Sequence, residues 1–323
     1  MSIDKEIMMD MYFYMQRIRR FEETAEELYK RGVVVGLLHL YIGEEAVATG
    51  ACLALQKDDY ITSTHRGHGH LIAKGGDLKK LLAELCGRAT GYCQGKGGSM
   101  HAADLNLGIL GANGIVGGGF GIATGAALSA KQRQSGQIVV CFFGDGAANE
   151  GILMESLNLA AIWKLPLIYM CENNTFGEYS RFDEVTVADK PIGERAAAFG
   201  IPTFKIDGND VIAVYECVQQ AAARTRAGEG PTFIEACTYR FRGHHMGDVG
   251  TARGYRTKEE MEQRWLQEPV QRFRKYLLDK EILTDPDLAV IDQQIEKDIQ
   301  DAVDFVNSSP AADVSKVAEN IYA

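Results

Sequence analysis

Two stretches of the chain are apolar almost without a break, and they flank one that is apolar only at every third or fourth position. Residues 137–143, Gln-Ile-Val-Val-Cys-Phe-Phe, and residues 166–171, Pro-Leu-Ile-Tyr-Met-Cys, carry no charge and are rich in β-branched and aromatic side chains. Such runs predict strands buried on both faces. The intervening residues 150–163 space their apolar positions for a helix. The three together predict a right-handed βαβ unit whose strands end at one edge, where open α/β sheets take their ligands. Gly144-Asp145-Gly146 follows the first strand and Glu172-Asn173-Asn174 ends the second, so Asp145 and Asn174 are expected within reach of each other.

The same reading extends along the chain. Met8, Met11, Tyr12, Met15, Ile18, Phe21, Ala25 and Leu28 form one stripe of a helix over residues 4–31, with Arg17, Arg19, Arg20, Glu22, Glu23, Glu26 and Glu27 off it. That stripe is either core or a contact with another subunit. A helix is expected over 44–55, a short strand at Tyr60-Ile-Thr-Ser, and a helix capped by Asp77 and running to about Ala89. The glycines crowded into residues 87–125 predict a loop with close backbone approach, entering a helix near 122–134. Helices near 194–199 and 211–227 alternate with strands at 203–206 and 231–236. A loop follows over 240–256, then a helical tail from Lys258, broken at Thr284-Asp-Pro286. This alternation predicts an α/β fold with a mostly parallel sheet and helices on both faces. We read residues 1–323 as a single domain, with a helical N-terminal segment over 1–45 and a helical tail over 258–323.

Composition narrows the class. The chain has 323 residues, 46% of them hydrophobic, enough for a large core. A net charge of −10 argues against a nucleic-acid partner. The seven cysteines include no Cys-x-x-Cys pair and lie mostly in strand or helix patterns, as reduced core residues do. Met1-Ser-Ile-Asp-Lys-Glu has no signal-peptide character, and no apolar run is long enough to span a membrane, so a cytoplasmic protein is expected. All seven histidines (His39, His65, His68, His70, His101, His244 and His245) are expected in loops around the sheet. That clustering points to a site.

Several familiar motifs are missing. Thr124 stands where a Gly-x-Gly-x-x-Gly fingerprint starting at Gly119 needs its third glycine, and residues 91–96 miss the phosphate-loop spacing by one. There is no Gly-x-Ser-x-Gly elbow and no paired Cys or His spacing for zinc. Asp145 and Asn174 instead offer a carboxylate and an amide oxygen, and the carbonyl of Phe176 a third hard donor. That set suits Mg²⁺, which completes its shell with water and substrate phosphates. Free N–H groups near 147–150 favour an anion at the same edge. Either half alone reads as an ordinary turn; together they indicate a site.

At this distance, Gly144-Asp-Gly146 with Asn173-Asn174 resembles the thiamine-diphosphate signature. The surrounding segments resemble the α subunit of the first component of 2-oxo acid and acetoin dehydrogenase complexes. The matching segments are residues 39–45, 64–70, 95–101, 113–117, 144–149 and 239–245, in the family's order, and the similarity spans roughly residues 10–310. The resemblance implies a thiamine-diphosphate-binding fold. It further implies Mg²⁺ on Asp145, Asn174 and the Phe176 carbonyl, where a backbone oxygen makes phenylalanine equivalent to the family's tyrosine. The diphosphate would lie on His65, Arg66 and His244 with the N–H groups of Gly146 and Ala147. Gly114 would accept from the aminopyrimidine through its carbonyl, and Val116 would wedge between the cofactor's rings. His39, His101 and His244 are the implied catalytic residues, the first two lying toward the substrate.

The family's reaction breaks a carbon–carbon bond beside a carbonyl and passes the acyl fragment to a lipoyl group on an acyltransferase core. Its activating glutamate belongs to a separate β subunit, so the resemblance implies an α₂β₂ assembly and no membrane or nucleic-acid partner. The pyruvate enzymes commonly have tyrosine where this chain has His65. Residues 63–70 and 109–116 look more like the branch that cleaves acetoin, with pyruvate or another 2-oxo acid as the alternative substrate. His245 stands where animal pyruvate enzymes carry a regulatory phosphoserine, and residues 251–254 depart from them as well. A non-catalytic homologue would have lost the metal ligands, yet Asp145, Asn174, Arg66 and His244 are all present. An NAD-dependent oxidoreductase would need the absent glycine fingerprint.

Overall fold

A computed structural model describes residues 3–187, 190–248 and 254–319. Five strands form one parallel sheet: β1 (Tyr60–Thr62), β2 (Val139–Gly144), β3 (Leu167–Asn173), β6 (Thr203–Asp207) and β7 (Thr232–Cys237). Their spatial order is β1-β2-β3-β7-β6, every neighbouring pair parallel. A hairpin of β4 (Phe176–Gly177) and β5 (Ser180–Arg181) follows β3. With two residues per strand, it is too short to show a period in the sequence.

The pleat divides the core. Val139, Cys141 and Phe143 of β2 and Leu167, Tyr169 and Cys171 of β3 pack on one face with helices α5 (Gly119–Arg133) and α6 (Gly151–Ile162). Val140, Phe142, Ile168 and Met170 face the other way. They pack against α1 (Lys5–Lys30), α2 (Glu45–Leu53), α3 (His68–Ala73), α4 (Leu78–Leu85), α9 (Val211–Arg226) and α12 (Asp285–Ser308). Shorter helices α7 (Phe182–Val185), α8 (Glu194–Ala197) and α10 (Lys258–Trp265) lie between these elements along the chain. Helices on both faces explain why the central strands read as continuous apolar runs. Among the described residues no helix is long and apolar enough to cross a membrane.

Three local expectations are corrected. First, the α1 stripe is core of this chain, since α1 packs against α2, α3 and α12, and two residues placed off the stripe, Arg19 and Glu22, are buried with it. Periodicity misses them because each charge is matched: Arg19 Nε donates to Glu45 at 2.6 Å and Nη2 to Glu268 at 2.8 Å, while Glu22 pairs with His68 Nδ1 at 3.0 Å. Second, His68 and His70 lie on α3 rather than in a loop, each imidazole between a serine and a glutamate. Six residues are too few to show a helical period. Third, α4 stops at Leu85 instead of near Ala89, because Gly87 turns left-handed at φ +62°. The Glu84 carboxylate then takes the N–H groups of Cys93, Gly95, Gly97 and Gly98 at 2.7–3.0 Å. The glycine-rich loop is wound around it. A Cβ on Gly91 would come within 2.4 Å of the same carboxylate.

The tail helices α11 (Pro269–Asp279) and α12 start on side-chain caps, Glu268 for the first and a Thr284–Asp287 capping box for the second. Arg19 therefore ties α1, α2 and the cap of α11 together. Replacing it with Met leaves two buried carboxylates unmatched and is expected to cost about 3–5 kcal/mol of stability. Urea denaturation of Arg19→Met with an unchanged midpoint would rule this out.

Candidate active site

One cavity of about 590 Å³ opens at the carboxyl ends of the parallel strands. Four strand ends feed it: His65 and Arg66 follow β1, Asp145 to Ala147 follow β2, Asn174 and Phe176 follow β3, and Arg240 and His244 follow β7. Gly114 and Val116 line it from the glycine-rich loop, and His39 from the segment between α1 and α2. Of the candidate catalytic, cofactor and metal residues, His101 alone is not on the lining: it is exposed, with Nδ1 3.0 Å from the Gly97 carbonyl. It stands behind Gly114, where an added Cβ would come 3.3 Å from His101 Nε2.

The acid and the amide are prepared differently. Asp145 is buried, and desolvation pushes its carboxyl up to about 6 despite the pull of backbone N–H groups and of Arg240. No ion pair holds it among the described residues. Asn174 donates from Nδ2 to Glu44 at 2.8 Å and accepts the Phe176 N–H on Oδ1 at 3.2 Å. That fixes which end of the amide is oxygen, and one lone pair stays free. Asn173 is turned away: its Nδ2 bonds Glu235 at 3.0 Å and its Oδ1 takes the Thr175 N–H. Thr175 and Glu178, at φ +74° and +55°, bracket the bend that brings Phe176 back to the site. There the backbone is so close that a Cβ on Gly146 would lie 3.3 Å from Gly177 Cα.

The opposite wall is basic. Arg66 is buried, donating from Nη1 to the Leu40 carbonyl at 2.6 Å and from Nη2 to that of His244 at 2.8 Å. Arg240, also buried, donates to His244 Nδ1 at 2.8 Å and to the Glu178 carbonyl at 3.1 Å, and its Nε has no partner among the described residues. The rings of His39, His65 and His244 pack with centroids 4.8–5.2 Å apart. Burial first, then the Arg66 charge, pushes all three down: His39 to about 3, His244 to about 2, and His65 well below its ordinary value. They are neutral imidazoles. Their ring nitrogens lie within 4.8 Å of one another, close enough to suggest a metal. Two guanidinium groups at the same place make it an anion seat instead. His39 Nδ1 is buried there without a hydrogen-bond partner among the described residues.

Three lining residues escaped the sequence reading: Arg240, Glu44 and Glu172. Arg240 had a signal, being four residues before His244 in a matching segment. Glu44 lies in the matching segment 39–45 and Glu172 directly precedes Asn173-Asn174, but nothing local says that either carboxyl will be buried. Glu172 accepts from the Tyr41 hydroxyl and from His70 Nε2 at 3.0 Å, and His70 Nδ1 meets Ser63 Oγ at 2.8 Å. Burial, and Glu172 beside it, raise the pKa of Glu44.

The model of the family described as dehydrogenase E1 component matches residues 13–315. Among known proteins, the α subunit of acetoin:2,6-dichlorophenolindophenol oxidoreductase from Bacillus subtilis is 48% identical over all of this chain and 95% of its own length. Its counterpart from Cupriavidus necator is 41% identical over all of this chain and 96% of its own. The pyruvate dehydrogenase E1 component α subunit of Rhizobium meliloti is 40% identical over 99% of this chain and 91% of its own length.

The depressed imidazole of His39 has a cost that pH reveals. Its folded value, about 3, lies below the ordinary 6.5, so between those limits the unfolded chain binds the extra proton and stability falls as pH falls. The slope is at most about 1.4 kcal/mol per pH unit. His39→Gln should lose less stability than the natural chain between about pH 7 and pH 5 in urea titrations. Equal losses would mean that His39 is not held neutral.

Proposed function

The chain belongs to the dehydrogenase E1 component family, and on that premise we propose that it is the α subunit of a thiamine-diphosphate-dependent dehydrogenase that cleaves acetoin to acetaldehyde and an acetyl unit. The observation that carries the reading is the two-sided cavity, with a buried acid, an oriented amide and a backbone carbonyl facing two arginines and three neutral imidazoles. Two acetoin-named relatives matched over nearly their full length favour acetoin as substrate.

The residues fit the group. Asp145, Asn174 Oδ1 and the Phe176 carbonyl make a donor set for Mg²⁺, and a divalent ion would offset the desolvation that raises Asp145. Arg66, His65 and His244 would hold the diphosphate with the N–H groups of Gly146 and Ala147, and Arg240 Nε, without a partner among the described residues, would add a donor. Gly114 would meet the aminopyrimidine through its carbonyl, and Val116, half exposed at the cavity, would wedge between the rings. When bound, thiamine diphosphate supplies the ring that stabilises the carbanion left by carbon–carbon cleavage. The chain binds, bends and dries it. Neutral imidazoles suit such a seat, because they donate hydrogen bonds without exchanging protons at working pH. His39, buried on the lining, would lie toward the substrate, and His101 would reach it from beyond the lining.

A separate β subunit would complete the site in an α₂β₂ assembly, and a lipoyl acyltransferase core would take the acetyl unit. Cytoplasmic residence accords with the cysteines, all of them free thiols.

The test is the assembled α and β subunits with Mg²⁺, thiamine diphosphate and an artificial electron acceptor. Acetoin should reduce the acceptor; reduction by pyruvate or another 2-oxo acid but not by acetoin would replace the substrate. Asp145→Ala should lower the rate at least about 100-fold while the melting profile is retained. Activity near that of the natural chain would refute the metal assignment.

A further inference from the structure

We infer that Arg240 is a positioning residue that keeps the ring proton of His244 on Nε2, so that this imidazole can only donate a hydrogen bond into the cavity. The inference rests on the diphosphate reading for its purpose, but not for its geometry. A guanidinium has five N–H donors and no acceptor. Its Nη1 stands 2.8 Å from His244 Nδ1, so Nδ1 accepts. A neutral ring with a bare Nδ1 carries its one proton on Nε2. An imidazolium would set N–H against N–H at that contact.

The charges around the ring agree. His244 is faced by Arg66 and Arg240, by the rings of His39, His65 and His245, and through its backbone by Asp248. Burial and the two arginines hold it neutral. The ring also has little freedom to turn. The residue's backbone N–H donates to Asp248 Oδ2 at 2.7 Å, its carbonyl takes Arg66 Nη2 at 2.8 Å, and Arg240 is itself anchored by the Glu178 carbonyl and by Arg256 on its own carbonyl.

The proton's place decides what the cavity binds. With Nε2 protonated, His244 offers a donor to an anion's oxygens. The other tautomer would present a lone pair to those oxygens and repel them. Arg240 thus acts on the ligand twice, by its own charge and by the tautomer it imposes. No acid or base group in the cavity has to titrate for this to hold.

The experiment uses the assembled α and β subunits with ¹⁵N-labelled histidine and no cofactor, the His244 signals being assigned by their loss in His244→Asn. In the natural protein the ring should show a bare Nδ1 and a protonated Nε2, unchanged from about pH 8 to pH 5. Arg240→Lys, still a pure donor, should keep that pattern. Arg240→Met should mix the tautomers of a ring that burial and Arg66 still keep neutral. Thiamine-diphosphate affinity, read by fluorescence titration, should fall roughly tenfold in Arg240→Met at about pH 8. Arg240→Lys, which keeps the donor on Nδ1, should recover most of it. A proton on Nδ1 in the natural protein overturns the inference, even if Arg240→Met does not fold. So does an Arg240→Met protein whose ring keeps the bare Nδ1 and protonated Nε2 of the natural protein. If the natural complex binds no thiamine diphosphate at all, the functional reading fails while the ring nitrogens still decide the tautomer.

Discussion

Gly144 is paired with Glu172 across the β2–β3 ladder, and that single register underlies the whole site. It sets Asp145 one residue beyond the end of one strand and Asn174 one residue beyond the end of its neighbour. A slip of one residue would turn every alternate side chain to the other face of the sheet, exchanging Cys141 and Phe143 for Val140 and Phe142. Two packed helical layers forbid that. The core thus specifies the site: the hydrophobic surface of α5 and α6 on one side, and of α2 and α9 on the other, fixes to within a residue where two polar groups emerge.

Emerging at a buried edge is costly for a polar group, and the chain meets the cost in three ways. Some charges are matched inside, as Arg19 is with Glu45 and Glu268. Others are not matched but neutralised, as His39, His65 and His244 are beside Arg66. A third group is met by neither route: Asp145 has no ion pair, and Arg240 Nε and His39 Nδ1 have no hydrogen-bond partner, among the described residues. Other buried atoms lack partners too, Thr49 Oγ1 and Tyr169 Oη among them, so it is the convergence of these three that points to a ligand. All three line one cavity.

Much of this was legible in the sequence, and the parts that were not share a cause. The βαβ unit could be read because burial on both faces leaves a continuous apolar run, and the helix between leaves a period. Asp145, Asn174 and Phe176 could be read because they sit at fixed offsets from those elements. Burial of a charged residue by pairing leaves no local trace, so Arg19, Glu22, Glu44 and Glu172 looked exposed or unremarked. His68 and His70 looked like loop histidines because α3 is too short for a pattern, and their true surroundings come from Glu22 and Glu172, 46 and 102 residues away. The expectation for residues 251–254 falls mostly outside the described residues, which resume at residue 254.

The turn of backbone N–H groups from Cys93 to Gly98 is the kind of amide nest that elsewhere captures phosphate. Here Glu84 occupies it with a carboxylate that is part of the chain. A resident anion at a concentration no solute can match shuts this second seat against free phosphates and nucleotides. The glycine-rich loop thus has the form of a phosphate binder, with its N–H groups already taken by a carboxylate of the same chain.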